Sequence, residues 1–395
     1  MSKFNLENWA ITEDTISGNI EISSLVTGET FELTTEGNLS SSSIIDGDTL
    51  NGNDSSDFIR TSRSPSAGVN HIKGSSQINQ FDEIFSGSIQ LPQPDGRVVF
   101  TPKKADTVGL FDPSDNTYSA GPSHNESIPS SFGGVFVGSA LAPDGRIIFG
   151  PDSSDNIGIF DPSDDSFSLG PSFGSGKSIP VRLRDGRILL NDGDSKVLKI
   201  FDPSDDSLTN GPTYLESEQH DLIGRAPDGR VFYNGAFPLR VFDPADDSFE
   251  RFEVDYSGLT LVNMSVSVGI SGGRFLIIGA DTDPAITLNS QTLEVEETSF
   301  VPENEGLDIF FNYALQLLPD GRIMIIDDDA EAVFIYDVVA DEVIESTAIE
   351  SNEVDAYSDS TLLHDGRVIL CPHEVDTVDA VYQLPDNTFA ATSNY

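Results

Sequence analysis

Five histidines, one cysteine and a large surplus of carboxylates are the side chains of this 395-residue chain from which reactive chemistry could be built. His71, His124, His220, His364 and His373 stand in no metal-ligand spacing such as His-Glu-x-x-His. Cys371-Pro372-His373 brings a thiol within two residues of an imidazole, the nearest approach to a nucleophile and its base. The run Val368-Ile369-Leu370 before it reads as a buried strand, in which a cysteine acts as a small apolar residue. Aspartate-rich turns, for instance Asp161, Asp164 and Asp165, and the run Asp327-Asp328-Asp329 carry oxygen ligands that Ca²⁺ accepts. Local bonds from side chain to backbone account for Asp and Ser in such turns without an ion. The expectation is no catalytic residue and no cofactor, an unassigned metal site, and cations held loosely by the surface, with specific Ca²⁺ as the minor alternative.

The charge balance sets the solvent. Lys and Arg total 21 against 66 Asp and Glu, a formal net charge of -45 spread along the whole length. In dilute buffer such a surface repels itself, whereas at molar salt the screening length falls to roughly 3 Å and the repulsion largely vanishes. Arginines outnumber lysines two to one, and the composition resembles that of proteins from extreme halophiles. A phosphate backbone would be repelled, which excludes nucleic acid as a partner. No stretch approaches the 18 apolar residues of a membrane span and the first residues lack a signal-peptide core, so neither membrane insertion nor a leader is expected. One cysteine permits no internal disulfide.

These residues hang on a repeat. Asp-Gly-Arg recurs with its Asp at 95, 144, 185, 228, 320 and 365, and Gly272-Gly273-Arg274 is a degenerate seventh copy. The marks are about 45 residues apart, the length of one four-stranded propeller blade. A second landmark follows each mark by about 16 residues. It is an apolar residue opening FDPSDDSF or a relative, at Phe111, Phe160, Phe201, Phe242, Leu288, Tyr336 and Tyr382. Apolar runs flank Asp-Gly, the pair a tight hairpin with positive φ prefers, so two strands meet there. Ile157 to Phe160 reads as a third strand ended by Pro162, and Ser163 to Asp165 turn the chain into a fourth near Phe167. Runs such as Ile147-Ile148-Phe149 suit strands buried on both faces. A lone unit leaves both its faces wet, so stacking into a ring must supply the core. The expected fold is all-β, a seven-bladed β-propeller over residues 81–395, beginning near Ile84 and completing its last strand around Phe389.

The order DGRIIF, variable loop, IGIFDPSDDSF, then GP resembles kelch-type propeller repeats, without their double glycine or tryptophan, since the sole Trp is Trp9. The form from Leu141 to Pro162 is also similar to kelch-like propellers in structural proteins of tailed viruses. The stretch DGDTLNGNDSSDFI, 46–59, resembles one degenerate calcium-binding nonapeptide repeat. The Asp boxes of propeller sialidases and the tyrosine, histidine and cysteine set of kelch-type copper oxidases are not found. With the acidic composition, the resemblance implies a non-enzymatic virion protein of a halophilic virus, on the outside of the particle. It would be a capsid spike, turret or tail-associated propeller whose loops bind a host surface protein or glycan. A cellular kelch-type adaptor for protein or glycan is the second reading, and a propeller hydrolase or lyase the third.

Residues 1–80 carry no repeat and are rich in Ser, Thr, Asn and Gly. Alternation around Thr27-Gly28 predicts a β-hairpin with Ile20, Ile22, Phe31 and Leu33 on its apolar positions. This segment is expected to be the arm that docks on other virion proteins, with a homo-oligomer as a possible assembly.

Overall fold

The computed structural model describes five short strand segments between residues 9 and 51 and most of residues 84–379. The stretches 128–132, 175, 193–196, 214–220, 235–238, 253–263, 280–283, 302–312, 328–331, 349–356 and 375–377 are not among the described residues. The landmark Tyr382 and the strand expected around Phe389 also lie outside them. The chain divides into two compact units, Met1–Gly68 with Pro385–Phe389, and Val69–Leu384 with Ala390–Tyr395. Among the described residues no helix is long and apolar enough to cross a membrane.

In the first unit, Trp9–Glu13, Ile20–Ser24, Thr30–Leu33, Asn38–Ser41 and Leu50–Asn51 pair in sequence order as one sheet. Ile20 lies opposite Leu33 and Ile22 opposite Phe31, the register that the alternation around Thr27-Gly28 implies.

The second unit is a succession of small sheets. Six four-stranded blades, 85–123, 136–172, 181–213, 221–252, 264–297 and 313–348, each keep their strands in chain order. The last repeat contributes a two-stranded hairpin, Tyr357–Leu362 with Val368–Pro372. The expectation of seven blades is thus corrected: the described residues form six blades and one hairpin. The reason is what the marks report. Asp-Gly-Arg certifies the turn between a unit's first two strands and says nothing of its third and fourth, so counting marks counts hairpins.

Burial follows the position of a strand within its sheet. The second strand of the second blade, Ile147–Pro151, is buried throughout, whereas the fourth, Ser166–Ser172, is mostly exposed. The second strand alternates its side chains between the two neighbouring sheets. Ile147 and Phe149 join Val99, Val108 and Leu110 of the first blade, while Ile148 joins Ile188, Leu190 and Phe201 of the third. The same alternation runs on around the unit. Val368 and Leu370 of the hairpin pack with Met324, Ile326 and Ile335 of the sixth blade, and Ile369 and Cys371 pack with Phe85, Val98 and Phe100 of the first. The hairpin is therefore the piece that closes the ring, packed on the sixth blade through one face and on the first through the other. Hydrogen bonds reinforce the closure: Ile84 N donates to His373 O at 2.8 Å, and Ser358 Oγ donates to Phe85 O at 2.9 Å.

The hairpin turns are not the two-residue loops that Asp-Gly alone suggests. In the second blade, Gly145 N donates to Ala142 O at 3.1 Å and Ala142 N to Arg146 O at 2.8 Å, enclosing Pro143, Asp144 and Gly145. Only the glycine has positive φ, 93°. This is the three-residue loop with a left-handed residue at its end, which is why a proline is tolerated first and a glycine required last.

Candidate functional site

The antiparallel order puts the Asp-Gly-Arg turn and the turn between the third and fourth strands on one rim, and the longer connections on the other. On the first rim the repeated residues do one job. Asp144 accepts from the Arg146 backbone N–H at 3.1 Å and from Nε at 2.7 Å, so the aspartate aims its own arginine. Arg146 Nη2 then crosses to the third blade and donates to Pro203 O and to Asp206 Oδ1, each at 2.7 Å. Arg97 reaches Asp165 of the second blade at 2.8 Å, and Arg187 reaches Asp247 of the fourth at 2.8 Å and Pro244 O at 3.2 Å. Arg367 of the hairpin donates to Asn116 Oδ1 at 2.7 Å and Pro113 O at 2.6 Å in the first blade, closing the rim as the core does.

The receiving residues explain their own identity. Asn116, Asp165, Asp206, Asp247 and Asp341 all have left-handed backbones, φ 54–58°, which Asn and Asp tolerate best among residues with a side chain. A short acceptor in that conformation meets the neighbour's guanidinium. Where Leu293 takes the position (φ 62°), the bridge changes accordingly: Arg230 donates to Ser290 O at 2.6 Å instead. The degenerate copy also departs: among the described residues Arg274 bonds near its own turn, to Ser271 O, and the step to the sixth blade is made by Ser299 N and Oγ on Asp341.

The calcium reading of the turns meets this geometry. Asp161 accepts from Ser163 N at 2.9 Å, and hydrogen bonding from the Ser163 side chain, then from its backbone, holds the carboxyl below the usual range. Asp164 accepts from Ser166 N, and Asp165 from Arg97. Among the described residues no three His, Cys, Asp or Glu side chains gather as metal ligands. Asp328, Asp329 and most of 46–59 lie outside the described residues.

The described histidines do not converge. His71 and His220 are outside the described residues. His124 is buried against the rings of Phe136 and Phe167, donating from Nε2 to Ala105 O at 2.7 Å while Nδ1 accepts from Glu126 N, which fixes the orientation of the ring. His364 lies in an Asp-Gly-Arg turn, its backbone N–H on Gln90 Oε1. His373 is buried with Nε2 3.3 Å from Lys103 Nζ. Cys371 is buried too, 3.5 Å from Gly87 O, and burial followed by the Asp359 charge pushes its thiol up to about 12. It is a thiol at neutral pH, not a thiolate nucleophile.

Two polar groups were not singled out from the sequence. Between the first strands of the hairpin and the first blade, Ser88 N and Oγ donate to Asp359 Oδ2 at 2.7 and 3.2 Å, and Ser88 Oγ meets Thr361 Oγ1 at 2.7 Å. Burial raises the Asp359 carboxyl. The other group is Arg182, Arg184 and Arg225. Arg182 and Arg225 end the first strands of the third and fourth blades, in the register position that Leu141, Leu317 and Leu362 occupy elsewhere. Arg184 replaces the proline of Pro-Asp-Gly-Arg. Aligning the repeats on Asp-Gly-Arg would have exposed both departures.

The first strands line the axis of the ring. Those of the first two blades approach so closely that a Cβ on Gly87 (φ 144°) would lie 3.0 Å from Gly138 Cα. Four-stranded sheets arranged radially about such an axis, with their apolar faces shared around a closed circle, define one architecture. The second unit is a β-propeller. Solved structures agree. The propeller resembles a streptogramin B lyase (TM-score 0.62, 13% identity, 80% of this chain and 98% of that one). It also resembles virginiamycin B lyase from Staphylococcus aureus (TM-score 0.57, 11% identity, 80% and 99%). A third likeness is hydrazine synthase from Kuenenia stuttgartiensis (TM-score 0.53, 12% identity, 79% and 99%). At such identities the likeness is one of fold. No protein-family model and no curated protein matches the chain.

Proposed function

We propose that the chain is a non-catalytic recognition protein displayed on a virion in concentrated salt. The propeller binds a host surface protein or glycan, and residues 1–80 hold it to neighbouring virion proteins. The observation that carries the binding reading is the use made of the polar repeats. The arginines Arg97, Arg146, Arg187, Arg230 and Arg367 join one sheet to the next, which makes the repeat a frame and leaves the connections of the opposite rim free to vary. The buried Cys371 thiol and the locked His124 ring fit structural roles. The net charge of -45 supports the salt-rich setting, and the resemblance of the repeat to kelch-like propellers of tailed viruses supports the virion. Antibodies raised against the whole chain and used for immunogold labelling of particles released by the source culture test this. Gold at the particle periphery is the expected result. Label confined to cell bodies, with clean particles, contradicts the virion reading.

A further inference from the structure

Against a formal charge of -45, three arginines stand together with no carboxylate bonded to them among the described residues. Arg225 donates from Nη1 to the Arg182 carbonyl at 2.7 Å, which draws its guanidinium across from the fourth blade to the third. Arg184 lies over the turn of the fourth blade: a Cβ on Gly229 would be 2.9 Å from its Cδ. Burial, and after it the charges of Arg182 and Arg184, lower the Arg225 pKa. The two nearest aspartates in sequence are already engaged, Asp185 by Arg187 Nε at 2.7 Å and Asp228 by Arg230 Nε at 2.8 Å. Among the described residues the side chains of Arg182 and Arg184 have no hydrogen-bond partner, and Arg225 uses one of its five donors on Arg182 O.

We propose that Arg182, Arg184 and Arg225 form an oxyanion-binding site at the mouth of the central channel on the Asp-Gly-Arg rim, taking a ligand that bears a sulfate, phosphate or carboxylate group. Guanidinium forks match such groups bidentately, and three of them supply donors from two blades. The acidic remainder of the surface does not bar the ligand, because in molar salt its repulsion is screened within roughly 3 Å while direct contacts persist. The site is independent of where the chain is displayed. A purely structural role, tying the third blade to the fourth, needs only Arg225 and the Arg182 carbonyl. It leaves unexplained why Arg182 and Arg184 replace the leucine and proline of other units.

The test is titration calorimetry on the whole chain in about 2 M KCl, the regime in which only direct contacts survive screening, with inorganic sulfate, inorganic phosphate and a sulfated disaccharide as probes. The variant R182L/R184P takes the residues the second blade has at these positions, Leu141 and Pro143, and keeps the carbonyl that Arg225 uses. R182Q/R184Q serves if the first does not fold. Saturable binding of at least one probe, weakened at least tenfold in the variant with an unchanged unfolding midpoint, is expected. Tighter binding of the disaccharide than of free sulfate assigns the oxyanion to a sugar, and equal binding assigns it to the free ion. Absence of saturable binding by all three probes, or equal binding by wild type and variant, overturns the site.

Discussion

Lowering KCl from about 2 M to about 0.1 M, where the screening length grows from a few ångströms to about 10 Å, is expected to drop the thermal unfolding midpoint by on the order of 20 °C. At roughly 2 °C per kcal/mol for a domain of this size, that is about 10 kcal/mol, comparable to the whole stability of a typical fold. The second, third and fourth blades show where the repulsion sits. Of the four carboxylates that the second blade sets on the Asp-Gly-Arg rim, Asp144 meets Arg146 and Asp165 meets Arg97, whereas Asp161 and Asp164 accept from the backbone N–H groups of Ser163 and Ser166. Low salt strengthens each Arg–Asp clamp as well, but an exposed pair contributes only about 1 kcal/mol or less. The uncompensated carboxylates therefore decide the sign. A midpoint that moves by less than about 3 °C, near 1.5 kcal/mol, would mean that the acidity has another purpose.

Ile369→Ala is expected to cost about 2–5 kcal/mol, read as a shift of the urea midpoint in high salt. Ile369 is fully buried, and its partners Phe85, Val98, Phe100 and Phe111 belong to the first blade, more than half the chain away. Leu190→Ala, at the interface of the second and third blades, loses a side chain equally buried among Ile148, Ile157 and Phe173 and provides the reference. In a closed ring the two truncations cost about the same. A cost below about 1 kcal/mol for Ile369 beside a full cost for Leu190 would describe a stack whose two ends do not meet, because the lost side chain would have had few atoms to touch.

The architecture was legible because a blade is a local object. Its strands, turns and buried second strand all fall within one period, and even the degenerate Gly272-Gly273-Arg274 marks a real turn followed by the strand Arg274–Gly279. What joins blades was not legible in the same way. Arg146 and Asp206 are 60 residues apart, as are Arg187 and Asp247, so the partner of each arginine is the left-handed turn one unit on. No rule of local spacing looks there. The blade count was overread for the related reason that Asp365-Gly366-Arg367 guarantees a hairpin alone. Among candidate sites, a search for histidine, cysteine and carboxylate clusters passed over Arg182, Arg184 and Arg225. They become conspicuous only when the repeats are aligned and the leucine and proline of other units are seen to be missing. Ser88 and Asp359, 271 residues apart, meet only because the ring closes.

That closure is tested most directly by a covalent staple. Ser88 Oγ and Thr361 Oγ1 stand 2.7 Å apart on the first strands of the first blade and the hairpin, near enough for a disulfide between cysteines at these positions. In a Cys371→Ser background, S88C/T361C oxidised gently in high salt is expected to yield one intramolecular bond, found as a peptide linking positions 88 and 361 by mass spectrometry. A folded protein that keeps both thiols, or pairs them only between molecules, would contradict a ring closed by the hairpin.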